Sequence, residues 1–311
     1  MHIVLIGQNK LRGTLSVHDD IKTALLEYDY KVTTIHADNQ LLSRLEKIDK
    51  PHLIINLSTG LSDKRSQANI VGLLEMTGIP ILGSGLISHV VGLHKEMTKS
   101  LLNAHNIRNA RFQLIEDENV PIRPDFVYPL IVKPEHEGSG VGLTASSLVE
   151  IPKQLKQVIR EKISEHNQVL LVEEFLPGRE FTVGVIGNKE LEILPIKETI
   201  FPEDGLQILT DSMKTEDLSI SEIPANIPTV LEREIIDMTE KTYRILRCQD
   251  FSRIDFRLDR NGQPNVIEIN TAPGLKDNFS FFPLIAKAAG YNYSEFIHRL
   301  VQVALEPRDL Q

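Results

Sequence analysis

Two short runs near the end of the chain carry residue types suited to metal and phosphate chemistry. FSRIDFRL (residues 251–258) and NVIEIN (residues 265–270) both alternate apolar and polar side chains, the period of a half-buried strand. Between them stands Asp259-Arg260-Asn261-Gly262, and Asn-Gly favours a tight hairpin turn. A turn of even length centred on Asn261-Gly262 sets Asp255 opposite Glu268 and Arg253 opposite Asn270. All four then share one face, while Ile254, Phe256, Ile267 and Ile269 share the other. Two carboxylates and an amide on one face make an oxygen-rich site of the kind that suits magnesium and nucleotide phosphates. Arg253 beside them could neutralise charge building up in a transition state. A solvated sheet face with an Arg–Glu cross-strand pair is the other reading. Two facing acids without a cation repel, which weighs against it.

A second run, Lys133-Pro134-Glu135-His136-Glu137-Gly138-Ser139-Gly140-Val141-Gly142, follows a strand-like segment. Small residues there let backbone N–H groups approach phosphate oxygens, and Lys133 could reach another phosphate. A plain turn fits the same residues, and the run is not a Walker loop, which ends in Gly-Lys-Ser/Thr. Gly7, after the first strand run, lacks the glycine spacing of a dinucleotide fingerprint. The chain has 10 histidines, but none stand at a spacing typical of zinc, so no histidine metal site is expected. No Gly-x-Ser-x-Gly elbow of a serine hydrolase is present.

The elements that must position these groups alternate in the first third. His2 to Gly7, Lys31 to Ala37, His52 to Ser58 and Ile79 to Leu82 read as strands. A helix capped by Ser16 and another over Val71 to Thr77 lie between them. That order predicts a parallel sheet with helices on both faces. Lys95 to His105 reads as helix, Pro129 to Val132 as strand, and Ser146 to Ser164 as mostly helix. Val169 to Glu174, Glu180 to Ile186 and Leu191 to Thr199 follow as strands. Phe201 to Asn226 is a polar stretch long enough for a functional loop. Helices close the chain on either side of the hairpin, from Val230 to Leu246 and from Ser294 to Ala304.

The 311 residues are 41% hydrophobic and 25% charged, the balance of a soluble globular protein. A net charge of -9 without a long basic run disfavours a nucleic-acid partner. Cys248 is the only cysteine, so no internal disulfide forms, which fits a reducing compartment. No stretch approaches the ~20 apolar residues of a membrane span, and no targeting segment is evident, so a cytoplasmic location is expected.

Together these pieces resemble the ATP-grasp enzymes and, within them, the D-alanine–D-alanine ligase family. The resemblance runs through GIPILGSG (78–85), LHKEMTK (93–99), IVKPEHEGSGVGL (131–143), VEEFLPGREFTVGVIG (172–187), SRIDFRLDRNGQPNVIEINTAPGL (252–275) and AAGY (288–291). It implies a three-domain α/β fold: an N-terminal parallel-sheet domain (1–92), a central ATP-grasp subdomain (93–186) and a C-terminal catalytic subdomain (187–311). It implies ATP and two magnesium ions, or manganese in their place, with Asp255, Glu268 and Asn270 as metal ligands. Lys95 and Lys133 would contact phosphates under a loop of Glu137, Gly138, Ser139, Gly140 and Val141, with Ser139 near the reacting phosphate. Glu173, Glu174, Phe175 and Leu176 would hold adenine, Glu180 the ribose, and Ile131 and Ile267 would flank the nucleotide. Lys214 would cover the γ-phosphate, and Arg253 with the Gly274 N–H would stabilise an oxyanion.

The implied activity joins a carboxylate to an amine through an acyl phosphate, with amino acids or related small acids as substrates. A homodimer is implied by resemblance alone. Several expected amino-acid contacts are replaced. The family's ammonium-binding acid aligns with Thr14, its histidine with Ser58, its tyrosine with Thr215, and a carboxylate-holding serine with Phe279; the loop Thr59 to Gln67 also differs. Arg12, Arg65, Lys276, Asp277 and Asn278 are candidate replacements. Three readings follow: a carboxylate–amine ligase not restricted to alanine, a D-alanine–D-alanine ligase with a divergent pocket, and a nucleotide-binding accessory protein without turnover.

Overall fold

The computed structural model describes residues 1–7, 17–58, 67–136, 143–202, 208 and 220–306. In chain order its first elements are β1 (His2–Gly7), α1 (Val17–Leu26), β2 (Lys31–His36), α2 (Leu41–Leu45), β3 (Leu53–Asn56) and α3 (Gln67–Glu75). The strands form a parallel sheet in the order β2-β1-β3, as the alternation predicts. Ile79 to Leu82 is less than the expected strand. It makes a single parallel bridge, Ile54 to Ile81, with Pro80 and Leu82 bonded to Ile54. Pro80 offers no N–H to extend the ladder, and Gly83 turns away at φ +105°.

Two helices follow, α4 (Leu86–Leu93) and α5 (Lys95–Ala104). Next come β4 (Phe112–Ile115), β5 (Leu130–Pro134), β6 (Leu148–Val149), α6 (Pro152–His166) and β7 (Leu170–Glu174). The four strands pair antiparallel in the order β4-β7-β5-β6. Leu155 and Ile159 of α6 share a core cluster with Leu130, Val132, Leu170 and Val172.

The third sheet holds β8 (Glu180–Gly187), β9 (Leu191–Ile193), β10 (Lys197–Ile200) and β11 (Ile220–Glu222). After α7 (Thr229–Ile245) it gains β12 (Phe251–Leu258) and β13 (Pro264–Asn270). The order is β11-β10-β8-β12-β13, with β9 on β8. Strand β8 therefore pairs along its length with the hairpin strand β12.

Helices α8 (Phe281–Ala288) and α9 (Tyr293–Leu305) end the fold. Asn292 caps α9 reciprocally: its side chain accepts from the Glu295 N–H, and Glu295 accepts from the Asn292 N–H, each at 2.9 Å. Phe296, Ile297, Leu300, Val301, Val303 and Ala304 are buried on α9. Burying these side chains contributes on the order of 10 kcal/mol gross. They share one cluster with Ile3, Leu5, Ile21 and Leu25, so the C-terminal helices cover the N-terminal sheet.

A buried polar seam joins the first sheet to the third. Asp250 stands at φ +61° and is fully buried. Its Oδ2 accepts the Gly83 N–H at 2.8 Å, and its Oδ1 accepts Asn188 Nδ2 at 2.9 Å. Asn188 Oδ1 in turn accepts the Asp250 N–H.

Candidate active site

The hairpin β12–β13 brings Arg253 opposite Asn270 and Asp255 opposite Glu268. The turn that achieves this is not the expected even-numbered one. Leu258 pairs with Pro264, so an odd loop centred on Asn261 closes the hairpin, held by Asp259 N–H to Gln263 O and Gly262 N–H to Asp259 O. A register shift between Asp255 and Phe256 then offsets the odd loop. Phe256 faces Val266 and Asp255 faces Glu268, which leaves Ile267 as the extra bulge residue. Val266, not Ile267, consequently joins Ile254, Phe256 and Ile269 in the core, and Ile267 is half-buried.

The polar groups of this face interlock. Arg253 donates to both Asp255 oxygens, at 3.1 and 2.7 Å, and stands 3.8 Å from Glu268 Oε1. Asn270 Nδ2 donates to Asp255 and Glu268, at 3.2 Å each. Thr182 on β8 donates to Asp255 at 2.9 Å. Burial opposes the Arg253 charge, but Asp255 and Glu268 more than offset it and hold the guanidinium above its ordinary value.

The same strand continues into a second cationic group that sequence reasoning missed. Arg257 is buried, ion-paired with Glu180 at 3.2 Å, and its guanidinium lies 4.7 Å from the Phe175 ring and 5.3 Å from Phe201. Its signal was the two-residue spacing Arg253, Asp255, Arg257 on one strand. Phe175 follows β7 and donates its N–H to Pro129 O; Leu176 beside it is half-buried. Glu174 is bonded to Arg111 at 2.6 Å and to the Val127 N–H at 2.8 Å.

Three lysines and one acid form the floor between α5 and the four-stranded sheet. Glu173 pairs in register with Ile131, and its carboxylate is buried between Lys133 and Lys99, the latter at 2.9 Å. Burial alone would raise the Glu173 pKa, but the two ammonium groups overcome it and push it down to about 2. Lys99 is depressed, chiefly by burial. Lys95, 8% exposed, donates to the Glu135 carbonyl at 3.2 Å. Burial brings it down to about 8. Lys99 was not singled out from the sequence, although it stands one helical turn after Lys95 on the same face.

Lys95, Glu268 and Asn270 line one small cavity with Gln67, Thr271 and Ala272. The last three also line a larger neighbouring cavity of about 160 Å³, with Asn56, Ser58, His89 and Gly274 on its wall. Two glycines permit this close arrangement. A Cβ on Gly92 would come within 2.9 Å of Thr271 Cγ2, and one on Gly274 within 2.7 Å of Ser280 Oγ. Ser280, rather than the aligned Phe279, thus stands against Gly274; Phe279 is 51% exposed. Lys276, Asp277 and Asn278 occupy the turn between them, where Asn278 donates to Asp277 at 2.9 Å.

His89 is the cavity group that no motif indicated. Its Nδ1 lies 2.9 Å from Thr271 Oγ1 and 3.2 Å from Gln67 Nε2. Burial pushes its pKa down to about 4, so the ring is neutral at pH 7. Glu137, Gly138, Ser139, Gly140, Val141 and Lys214 lie outside the described residues, as do Arg12, Thr14, Arg65 and Thr215. No described helix is long and apolar enough to cross a membrane.

Comparison with known proteins adds to this geometry. Residues 100–302 match the family model "D-ala D-ala ligase C-terminus". A D-alanine–D-alanine ligase of Carboxydothermus hydrogenoformans is 32% identical over 95% of this chain and 94% of its own. An uncharacterised protein of Sinorhizobium fredii, y4sG, is 32% identical over 93% of this chain and 87% of its own. Among solved structures, a D-alanine–D-alanine ligase of Bacillus anthracis complexed with ATP superposes with a TM-score of 0.79 at 21% identity, covering 98% of this chain and 97% of that one. The VanG D-Ala:D-Ser ligase of Enterococcus faecalis does so at 0.78 and 22%, covering 98% and 99%.

Proposed function

The chain belongs to the D-alanine–D-alanine ligase family of ATP-grasp enzymes, and on that premise we propose that it joins a small carboxylic acid, an amino acid or a relative of one, to an amine at the expense of ATP. The observation that carries this reading is the convergence of Arg253, Asp255, Glu268 and Asn270 on one face of the β12–β13 hairpin.

The donor set fits magnesium. Asp255 and Glu268 both lie within hydrogen-bond reach of one Asn270 nitrogen, so their oxygens converge, and turning the amide over presents a third oxygen. Asp255, Glu268 and Asn270 would hold the ions, whose charge would offset that of the nucleotide phosphates.

In the first step a substrate carboxylate oxygen bonds to the γ-phosphorus of ATP, the bond to the bridging oxygen breaks, and ADP leaves. Lys95 and Lys133 attract the phosphates. In the second step the amine nitrogen attacks the acyl carbon, the carbonyl becomes an oxyanion, and inorganic phosphate departs as the amide forms and the ammonium proton is lost. Arg253 and the Gly274 N–H stabilise the oxyanion. Catalysis of this kind rests mainly on positioning and charge compensation. Phe175, Leu176, Glu180, Ile131 and Ile267 form the nucleotide side of the reading, with Glu180 oriented by Arg257.

A second reading, a D-alanine dipeptide as product, has one observation in its favour. Ser280 stands beside Gly274, where a hydroxyl could hold a substrate carboxylate. Release of ADP across a panel of acids and amines, D- and L-amino acids included, tests both readings when the products are identified by mass spectrometry. Turnover is expected with at least one pair and none in Glu268→Gln. Binding of magnesium-ATP without ADP release from any pair would overturn the ligase reading in favour of an accessory protein.

A further inference from the structure

His94, Glu135 and His136 come from two separated segments and meet at one point. Each offers one ligand atom, and the three atoms lie within 4.8 Å of one another. His94 Nδ1 is 2.8 Å from Glu135 Oε2, and His136 Nδ1 is 3.5 Å from the same oxygen. The two imidazole rings stand 5.6 Å apart. Donors bound tetrahedrally to zinc are spaced roughly 3.4 Å apart, given metal–ligand bonds of about 2.0–2.1 Å. The His136–Glu135 spacing is already of that size, and the His94–Glu135 hydrogen bond needs to open by only about half an ångström.

The carboxylate is presented rather than loose. Glu135 is buried, and its Oε1 accepts the Glu96 N–H at 3.2 Å, which turns Oε2 toward both rings. Its backbone carbonyl accepts from Lys95 Nζ at 3.2 Å. A ligand anchored through its other oxygen is the usual support of a metal site. The side chains of His94 and His136 are 39% and 23% exposed, so an ion can enter from solvent.

We propose that His94, Glu135 and His136 form a site for a divalent metal of the zinc class, distinct from the carboxylate hairpin. Two imidazoles and one carboxylate suit zinc, cobalt or nickel, whereas magnesium prefers oxygen donors alone. Three protein ligands leave a fourth position for water. The bound ion fastens the start of α5, next to Lys95, to the residues just after β5, next to Lys133. Sequence spacing concealed the site because 41 residues separate His94 from Glu135.

The test uses the full chain without nucleotide and titrates zinc chloride alone by calorimetry, with cobalt(II) absorption as the geometric probe. One zinc per chain is expected to bind, with the visible bands of tetrahedral cobalt and a zinc-dependent rise in Tm. His94→Ala and His136→Ala should each weaken zinc at least tenfold and lose the Tm rise, while Asp255→Asn keeps both. X-ray absorption of the zinc-loaded wild type supplies a variant-independent check, with two imidazole nitrogens expected in the coordination shell. Absence of a stoichiometric zinc, a shell of oxygen only, or unchanged affinity in both folded histidine variants would each overturn the proposal.

Discussion

The Glu173 carboxylate lies 2.9 Å from the Lys99 ammonium, with both groups buried beneath the expected nucleotide site. Lys133 meets the other oxygen of the same carboxylate. Lys99→Met should therefore destabilise the fold by about 3 kcal/mol in urea unfolding, because it removes half of the compensation of a buried charge. Adding Glu173→Gln to Lys99→Met should recover part of that loss. A double variant whose cost equals the sum of the single ones would show that the pair is not coupled.

His89 makes stability depend on pH. Its folded pKa of about 4 lies below the unfolded value of 6.5, so below pH 6.5 the unfolded chain takes up the proton first. Its contribution is fully present above pH 6.5 and is lost as the pH falls to about 4, by about 3 kcal/mol in all. His89→Gln should flatten that segment of the stability–pH curve. An acid limb identical to the wild type would rule the assignment out.

Lys95 predicts an alkaline limb in nucleotide binding. With its pKa at about 8 it is charged below that pH and loses the charge above it. The Kd for magnesium-ATP should rise above pH 8, and Lys95→Arg should move that limb beyond the measurable range. A limb unmoved in the arginine variant would assign it to another group.

Arg253→Lys tests the two-pronged contact with Asp255. Lysine keeps the charge but cannot donate to both oxygens at once. The expected result is a fall in kcat of roughly 100-fold with little change in the KM for ATP. A change confined to KM would place Arg253 in ground-state binding instead.

Gly92→Val should cost about 1–3 kcal/mol in thermal unfolding, since its Cβ alone would press within 2.9 Å of Thr271. Pairing it with Thr271→Ala should relieve most of the cost.

The parts legible in the sequence were those with a local period or a distinctive run. The parallel sheet around β1 followed from the alternation of apolar segments. The facing of Asp255 and Glu268 was also readable, but only because two departures offset each other. The odd loop at Asn261 shifts the register, and the bulge at Ile267 restores it. Neither leaves a mark on a two-residue period, which puts Ile267 on the core face where Val266 stands. Long-range groups were beyond reach for a different reason. Lys99 owes its meaning to Glu173, His89 to Gln67 and Thr271, and Ser280 to the turn that folds it back on Gly274. Only tertiary contact defines these relationships.

The Asp250 seam bears on how this chain can be recombined. The wall of the larger cavity draws Asn56, Ser58 and His89 from the first hundred residues, whereas the hairpin lies far downstream. On the proposed function, exchanging the front segment with that of a relative would change this wall while the hairpin is inherited unaltered. The graft must reproduce a backbone N–H at the place of Gly83, because that N–H donates to the buried Oδ2 of Asp250 at 2.8 Å. A crossover that shifts this turn would take a hydrogen bond from a buried polar group, and the hybrid should fail at assembly before its chemistry could be assayed.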